Sequence, residues 1–444
     1  MIHGLFTLLL VLACASQSWA TNYFVAKTGS DAAAGGVSTP WLTIQKAANT
    51  MVAGDTVTVN AGTYAERVGV TTSGTAGNFI RYQTNGVVVM QGFRVQASYT
   101  QVVGFEITNS NSLYYTGIGV YVAGTHNEVT SNYVHDLYWE GIWLFGENAR
   151  DDPLTANNLV NLNTIVRART AGIFVEGINN TVDSNDISHT ITDPPGSPAD
   201  PNADADGMRF FGSGHIFRKN NIHDILDTDA YQLNSPHIDC FQTWGPATNM
   251  LFEQNVCHGA IDNMQATQAS VLTAPVGTFT YRNNIFYDMT HGINISFLTG
   301  QTIDNLLIVN NTFKNITGQG VILKSSSNDI IRNNLFYNVG AAAGDEYLAI
   351  DVASTGATIS NNGNWSTTGS LVGSPYTNDV WADPKIVSGT GNDFHLQSTS
   401  PLRDAGVTLG TVTNDKDGTA RPIGTAYDIG AYEYHGGFGG SSIQ

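Results

Sequence analysis

The sequence predicts an all-β fold, a parallel β-helix in which the chain winds through successive coils of short strands. A phrase with a central asparagine recurs through the middle of the chain at intervals of about 20 to 35 residues, which is typical of a solenoid. The segments around it alternate apolar and polar residues with the period of two expected of strands. The 3.6-residue period of amphipathic helices is missing there, so helical repeats are excluded.

The recurring phrase marks one turn of each coil. Examples are SNYVHD at 131, KNNIHD at 219 and RNNIFY at 282. The asparagines assigned to this turn are Asn132, Asn163, Asn185, Asn220, Asn255, Asn283, Asn310 and Asn333. Stacked asparagines can form a ladder of side-chain amides, which suits a parallel β-helix.

Rings follow these asparagines at a fixed distance along the chain. In the later coils they predict an interior aromatic stack of Phe286, Phe313 and Phe336. The same register in other coils is assigned to histidines, which we therefore predict to be mostly interior or turn-packing residues: His135, His223 and His258.

The β-helix is assigned to residues 56–361, and the segments on either side are predicted to close its ends. Within residues 21–55, the phrase PWLTIQKAANTM predicts an amphipathic helix near 42–51. Its apolar residues are Leu42, Ile44, Ala47, Ala48 and Met51. Such a helix would cover the first coil, whose strands otherwise have unpaired edges. Residues 362–444 lose the repeat and are predicted to form an irregular C-terminal cap and tail.

Composition limits the partners of the protein and its location. The chain has 37 Asp and Glu against 19 Lys and Arg, a formal net charge of −18, which argues against nucleic acid as a ligand. Residues 1–20 have the apolar run and small-x-small ending of a secretory signal peptide, so a secreted or periplasmic protein is expected. No later segment is a membrane-span candidate, and a monomer is expected. Cys240 and Cys257 lie at different places in the repeat, so no disulfide is assumed.

Several phrases resemble those of secreted right-handed parallel β-helix proteins of the pectin-lyase-like superfamily. They are YFVAKTGSD, GDTVTVNAGTYAE, the repeated NN-x-F strands, SPLRDAG and YDIGAYEY. The resemblance covers nearly the whole mature chain and implies a right-handed coil. It implies no single activity, because this fold hosts lyases, hydrolases, epimerases and proteins that are not enzymes.

A second strand follows each asparagine phrase, and aligning these strands by their small second residue gives columns across the coils. The aligned strands are TGIGVY at 116, EGIWLF at 140, AGIFVE at 171, DGMRFF at 206, DCFQTW at 239, DNMQAT at 262, HGINIS at 291 and QGVILK at 319. The third and fifth places are mostly apolar and are predicted to face the core. The fourth and sixth places are therefore predicted to face outwards.

These columns become polar on only a few successive coils. The first place holds Asp206, Asp239 and Asp262, the fourth holds Arg209, Gln242 and Gln265, and Asp204 and His237 lie two residues before the first place. Because neighbouring strands are about 4.8 Å apart, the carboxylates should repel each other unless one is protonated or a cation lies among them. We predict Asp206, Arg209, His237 and Asp239 as catalytic residues. Calcium is the expected cation, with Asp204, Asp206, Asp239 and Asp262 as its ligands.

A substrate groove is predicted beside the polar columns. Long insertions precede Asp206 and Asp239 at one edge of the coil, where they would form its wall. Trp143, Tyr231 and Trp244 are predicted to stack on sugar rings, and Gln242 and Gln265 are predicted to contact the substrate as well.

The predicted function is that of a polysaccharide lyase, which cleaves a uronic-acid polymer by β-elimination. The resemblance implies that a cation and basic groups neutralise the uronate carboxylate while Arg209 or His237 removes the C5 proton. No complete lyase motif with a clear catalytic lysine is present. A polygalacturonase-like hydrolase that uses the stacked aspartates is the closest alternative. SPHID matches the motif of uronan C5-epimerases poorly, and a surface protein that binds glycans without turnover is the alternative outside enzymes.

Overall fold

The computed structural model describes residues 20–193, 204–228, 232, 236, 238–260, 262–266, 276–295, 303–340, 346–350, 354–368 and 373–436. In this part of the chain almost all regular structure is β, and the strands pair in parallel from coil to coil as a right-handed β-helix. The fold predicted from the repeat is thus confirmed. The predicted signal peptide, except for residue 20, lies outside the described residues, as do His237 and Tyr231.

The coils have three faces, and face A carries the second strand of each coil. Its strands are Val120–Val122, Ile142–Leu144, Thr170–Val175, Ala205–Phe210, Asp239–Thr243, Asp262–Ala266, Ile293–Ile295, Val321–Leu323 and Leu348–Ile350. Their pairing forms the predicted fourth-place column, which runs through Trp143, Phe174, Arg209, Gln242, Gln265, Asn294 and Ile322. The third-place residues Ile142, Ile173, Met208 and Phe241 are buried in the core.

Faces B and C complete each coil. Face B consists of Thr100–Val103, Glu128–Thr130, Leu159–Asn161, Thr181–Asp183, Ile216–Arg218, Ala247–Glu253, Val276–Arg282, Leu307–Val309, Ile330–Arg332 and Thr358–Ser360. Face C consists of Glu106–Asn109, Tyr133–Leu137, Thr164–Val166, Asp186–Ser188, Asn221–His223, Val256–His258, Ile285–Met289, Thr312–Ile316, Leu335–Val339 and Gly363–Trp365. The first coils use Asn22–Val25 and two long strands that turn corners, Thr56–Val70 and Ile80–Val95. Short strands outside this pattern are Gly212–Ser213, Ile303–Asp304, Ser326–Ser327, Ile386–Ser388 and Asp393–Leu396.

A buried ladder of asparagine amides holds the turn between faces B and C. Its members are Asn132, Asn163, Asn185, Asn220, Asn255, Asn284, Asn311, Asn334 and Asn362. In the later coils the ladder uses the second asparagine of each NN pair, so the assignment of Asn283, Asn310 and Asn333 is wrong by one residue. Those three have φ between 54° and 58°, a left-handed conformation that asparagine tolerates, and they point outwards.

The ring register also needs a correction of one residue. Phe286, Phe313 and Phe336 stack inside the coil as predicted, with ring centres 5.1 and 4.9 Å apart. Cys257, and not His258, pairs with Phe286, and His258 pairs with Tyr287. Because alternate residues of a strand point to opposite sides, His135, His223 and His258 lie on the outer side of face C.

The N-terminal helix covers the first coil but is shorter than predicted, Ile44–Ala48. Thr43 caps it, accepting a hydrogen bond from the Lys46 N–H at 3.1 Å. The helix and the residues after it bury Ile44, Ala47, Ala48 and Met51, whereas Leu42 precedes the cap and is 38% exposed.

The C-terminal segment covers two surfaces. Around residues 376–381 it lies over the last coil, where Tyr347 packs against Tyr376 and Trp381. Residues 402–434 instead run back along the outer wall, and the outward asparagines bind this segment. Asn283 Nδ2 donates to the Asn414 carbonyl at 2.6 Å, and Asn333 Nδ2 donates to the Val407 carbonyl at 2.8 Å.

Cys240 and Cys257 form a disulfide, with their Cα atoms 6.3 Å apart. They belong to faces A and C, but both side chains point into the core, so their different places in the repeat do not keep them apart. In the described part of the chain, no helix is long and apolar enough to cross a membrane.

Candidate functional site

Five of the predicted site residues form one cluster at adjacent strands of face A. Arg209 Nε donates to Asp206 Oδ2 at 2.6 Å, and Arg209 Nη2 lies 3.6 Å from Asp204 Oδ2. Gln242 Nε2 lies 3.2 Å from Asp239 Oδ2 and 3.3 Å from Asp204 Oδ2. The Asp239 backbone N–H donates to Asp206 Oδ1 at 3.1 Å, which links the two coils.

The cluster is buried although it lies on the outward places of the strands. Asp206 and Asp239 are 0% exposed. Burial raises the pKa of Asp206 well above its ordinary value, Asp204 and Asp239 raise it further, and Arg209 opposes the rise. Burial lowers the pKa of Arg209, but the charges of Asp206 and Asp204 outweigh this effect and raise it. Three carboxylates therefore share one guanidinium, which leaves a place for a proton or a second cation.

The next strand of face A extends both columns. Asp262 pairs with Asp239, and Gln265 pairs with Gln242, as the alignment predicted. Among the residues that the structure describes, no group of three or more His, Cys, Asp and Glu is arranged to hold a metal ion. Arg209 already contacts Asp204 and Asp206, two of the predicted calcium ligands.

An aromatic cluster continues the outer wall on the preceding coils. Trp143 is 4% exposed and stacks on Phe174, with ring centres 4.8 Å apart and planes at 1°. Tyr115 covers the same indole at 5.8 Å. Tyr115 would have to move for a sugar to stack on Trp143. The exposed rings at this end are those of Tyr114 and Tyr115, at 40% and 44%.

Trp244 links the aromatic cluster to the polar cluster. Its ring lies 4.8 Å from that of Phe211 and 5.2 Å from the Arg209 guanidinium carbon. Arg150 lies 5.5 Å from Trp244 and only 3.5 Å from the centre of the Phe211 ring. Two guanidinium groups therefore flank one partly buried indole.

Arg150 and two glutamates belong to this wall but were not singled out as site residues from the sequence. Arg150 Nη1 is 3.7 Å from Glu176 Oε1, and this buried group donates no hydrogen bond to any residue described. Glu140 stands in the first-place column, two coils before Asp206, and burial raises its pKa. That column gave a signal for Glu140. Arg150 lies in an insertion between coils, where no periodicity applies.

Comparisons with known proteins agree with this architecture. A family model described as a protein of unknown function (DUF1565) matches residues 67–225. Pectate lyase Pel9A has a similar structure, with a TM-score of 0.57, 16% identity and coverage of 94% of this chain and 97% of that one. The PL6 family polysaccharide lyase Pedsa3628 from Pseudopedobacter saltans follows with a TM-score of 0.52, 13% identity and coverage of 76% and 89%.

The PL6 family alginate lyase AlyGC has a TM-score of 0.51 and 14% identity, and the match covers 80% of this chain and 55% of that one. No curated protein matches the sequence. The chain is thus a right-handed parallel β-helix protein with the pectin-lyase-like fold. At these identities the solved structures show the fold alone.

Proposed function

We propose that this chain is a secreted carbohydrate-active enzyme, a polysaccharide lyase that cleaves a uronic-acid polymer by β-elimination. The observation that carries the proposal is the buried cluster of Asp204, Asp206, Arg209, Asp239 and Gln242 on the outer wall. An ordinary solvated face would leave such groups in water, because burying charges is costly unless they are paired. Perturbed carboxylates beside a groove are typical of catalytic sites.

β-Elimination requires a base and a way to offset negative charge on the substrate. The base removes the C5 proton, the C–H electron pair forms the C4–C5 double bond, and the glycosidic oxygen leaves C4 with its bonding pair and takes up a proton. The raised pKa of Arg209 keeps it protonated, so we assign it the role of stabilising the uronate carboxylate and not that of the base. His237 is then the proposed base.

Arg150 is the second cation of the proposed site. Its guanidinium rests on Phe211 and keeps a donor group without a hydrogen bond, so it can bind a carboxylate. Arg-carboxylate pairs are frequently bidentate, which would also orient the sugar. In an acidic protein, this local pair of guanidinium groups gives a polyanion a place to bind.

Calcium remains a separate proposal. Asp204, Asp206 and Asp239 lie together, but the contacts of Arg209 with two of them mean that calcium would compete with an internal cation. Asp262 continues the column on the next coil and is the remaining proposed ligand. No step above depends on the metal.

A hydrolase that uses stacked aspartates is the second candidate, because the raised pKa of Asp206 suits a general acid. Incubation with pectins, alginates and glycosaminoglycans separates the candidates. A lyase forms products with the ultraviolet absorbance of a C4–C5 double bond, and a hydrolase forms reducing ends without it. Binding without either product would indicate a glycan-binding protein. The Cys240–Cys257 disulfide supports the proposed export, since disulfides persist in oxidising compartments.

A further inference from the structure

A cleft of about 500 Å³ lies at the corner where face C leads into face A. Its walls include Leu226, Asp227, Asp288, Met289, Asn315 and Thr317. This volume is within the range of roughly 300–1,000 Å³ that is typical of small-molecule sites. The cleft is a second concave surface, distinct from the cluster around Arg209.

The cleft adjoins the proposed active groove. It spans the ends of the face C strands Asn221–His223, Val256–His258, Ile285–Met289 and Thr312–Ile316. Ala260, which also lines it, precedes Asp262 by two residues, and Thr317 precedes the next first-place position but one, Gln319, by two. A polymer that lay along the first-place column would therefore continue from Asp239 into this cleft.

The chemistry of the cleft differs from that of the other end of the groove. Asp227 and Asp288 are both exposed carboxylates, and no Lys or Arg is among the described residues that line the cleft. Asn315 Nδ2 donates to Asp288 Oδ1 at 2.7 Å, which fixes that carboxylate toward its neighbour. At the other end, Arg150 and Arg209 supply two cations. The groove thus has a basic end and an acidic end.

We propose that this cleft binds a neutral sugar residue of the substrate, and that the preferred polymer carries neutral sugars next to its uronates. The inference rests on the proposed function and adds the substrate class. Sugar hydroxyls can donate to Asp227 and Asp288, and the apolar side chains of Leu226 and Met289 can contact the face of a sugar ring. A uronate there would place a third negative charge beside two carboxylates, which disfavours a polymer made of uronate alone.

The test compares homopolyuronates with polymers in which uronate alternates with a neutral sugar, at equal uronate concentration. The wild type is expected to cleave the alternating polymers with the higher kcat/KM. Asp227→Lys and Asp288→Lys should lower KM for a homopolyuronate by about tenfold, because each replaces a repulsive charge by an attractive one. Glu128→Lys makes the same charge change on face B, away from the cleft, and should leave this preference unchanged.

Two outcomes would overturn the inference. A wild type that prefers homopolyuronate, with a preference that neither lysine variant changes, would overturn it and leave the proposed lyase intact. If no polymer is cleaved, the proposed function fails, and calorimetry with neutral and uronate oligosaccharides still tests the cleft. Equal affinity for both, or affinities that Asp288→Lys does not alter, would contradict a neutral-sugar site.

Discussion

At the scale of single residues, Arg150 carries the most specific prediction. Arg150→Gln removes the charge and keeps a polar side chain of similar reach over Phe211. We expect KM for an acidic polymer to rise by about 10- to 100-fold, the loss that corresponds to one hydrogen bond from a charged group. The melting temperature should change little, since Arg150 makes only a 3.7 Å contact with Glu176. An unchanged KM would remove Arg150 from the site.

His223 predicts a pH dependence of stability. Hydrogen bonding to Asp186 and Asp224 raises the pKa of His223 to about 9, against the opposing effect of burial. Because the folded pKa lies above the ordinary 6.5, this stabilisation is complete below about pH 6.5 and is lost as the pH rises through 9. His223→Gln should lower the free energy of unfolding by about 1 kcal/mol near pH 6, after allowance for solvent screening, and by less near pH 10. Denaturant unfolding at both pH values checks this, and an equal loss at both would contradict it.

At the scale of elements, the NN pairs allow a comparison of neighbouring residues. Asn284 Nδ2 donates to Asn311 Oδ1 and to the Phe252 carbonyl, at 2.9 Å each, inside the ladder. Asn284→Ala would leave buried partners unsatisfied, so we expect a loss of about 3 kcal/mol or more in the free energy of unfolding. Asn283→Ala loses the contact of that side chain with Asn414 on the wall and should cost about 1–2 kcal/mol. Equal losses would mean that the ladder does not dominate.

The elements also show what the sequence could predict. Alternation along a strand is imposed by the backbone, so the columns of face A from Trp143 to Ile322 came out correctly. The strand at 116 is displaced by two residues, because Val120 pairs with Ile142 and Ile118 packs among the outer aromatic side chains. Similarly, an NN pair does not reveal which asparagine turns inward. Contacts made by insertions, such as those of Arg150, depend on loop geometry that no repeat encodes.

At the scale of the whole molecule, charge balance gives the calcium prediction. If calcium binds among the stacked carboxylates of the native state, the melting temperature should rise with calcium concentration by mass action. Asp239→Asn should reduce that rise, and magnesium chloride at the same ionic strength is the control for screening. A melting temperature unaffected by calcium and by chelator would contradict the calcium proposal and leave Arg209 and a proton to balance the cluster.

The central claim is that the polar cluster of face A performs β-elimination. The most direct measurement is the release of unsaturated products by the wild type and by Asp239→Asn, on a uronate polymer that the wild type degrades. Asn nearly preserves the shape of Asp239, so the melting temperature should stay close to that of the wild type, and product release should be abolished. Full activity in a folded Asp239→Asn variant, or products that lack the double bond, would contradict the account.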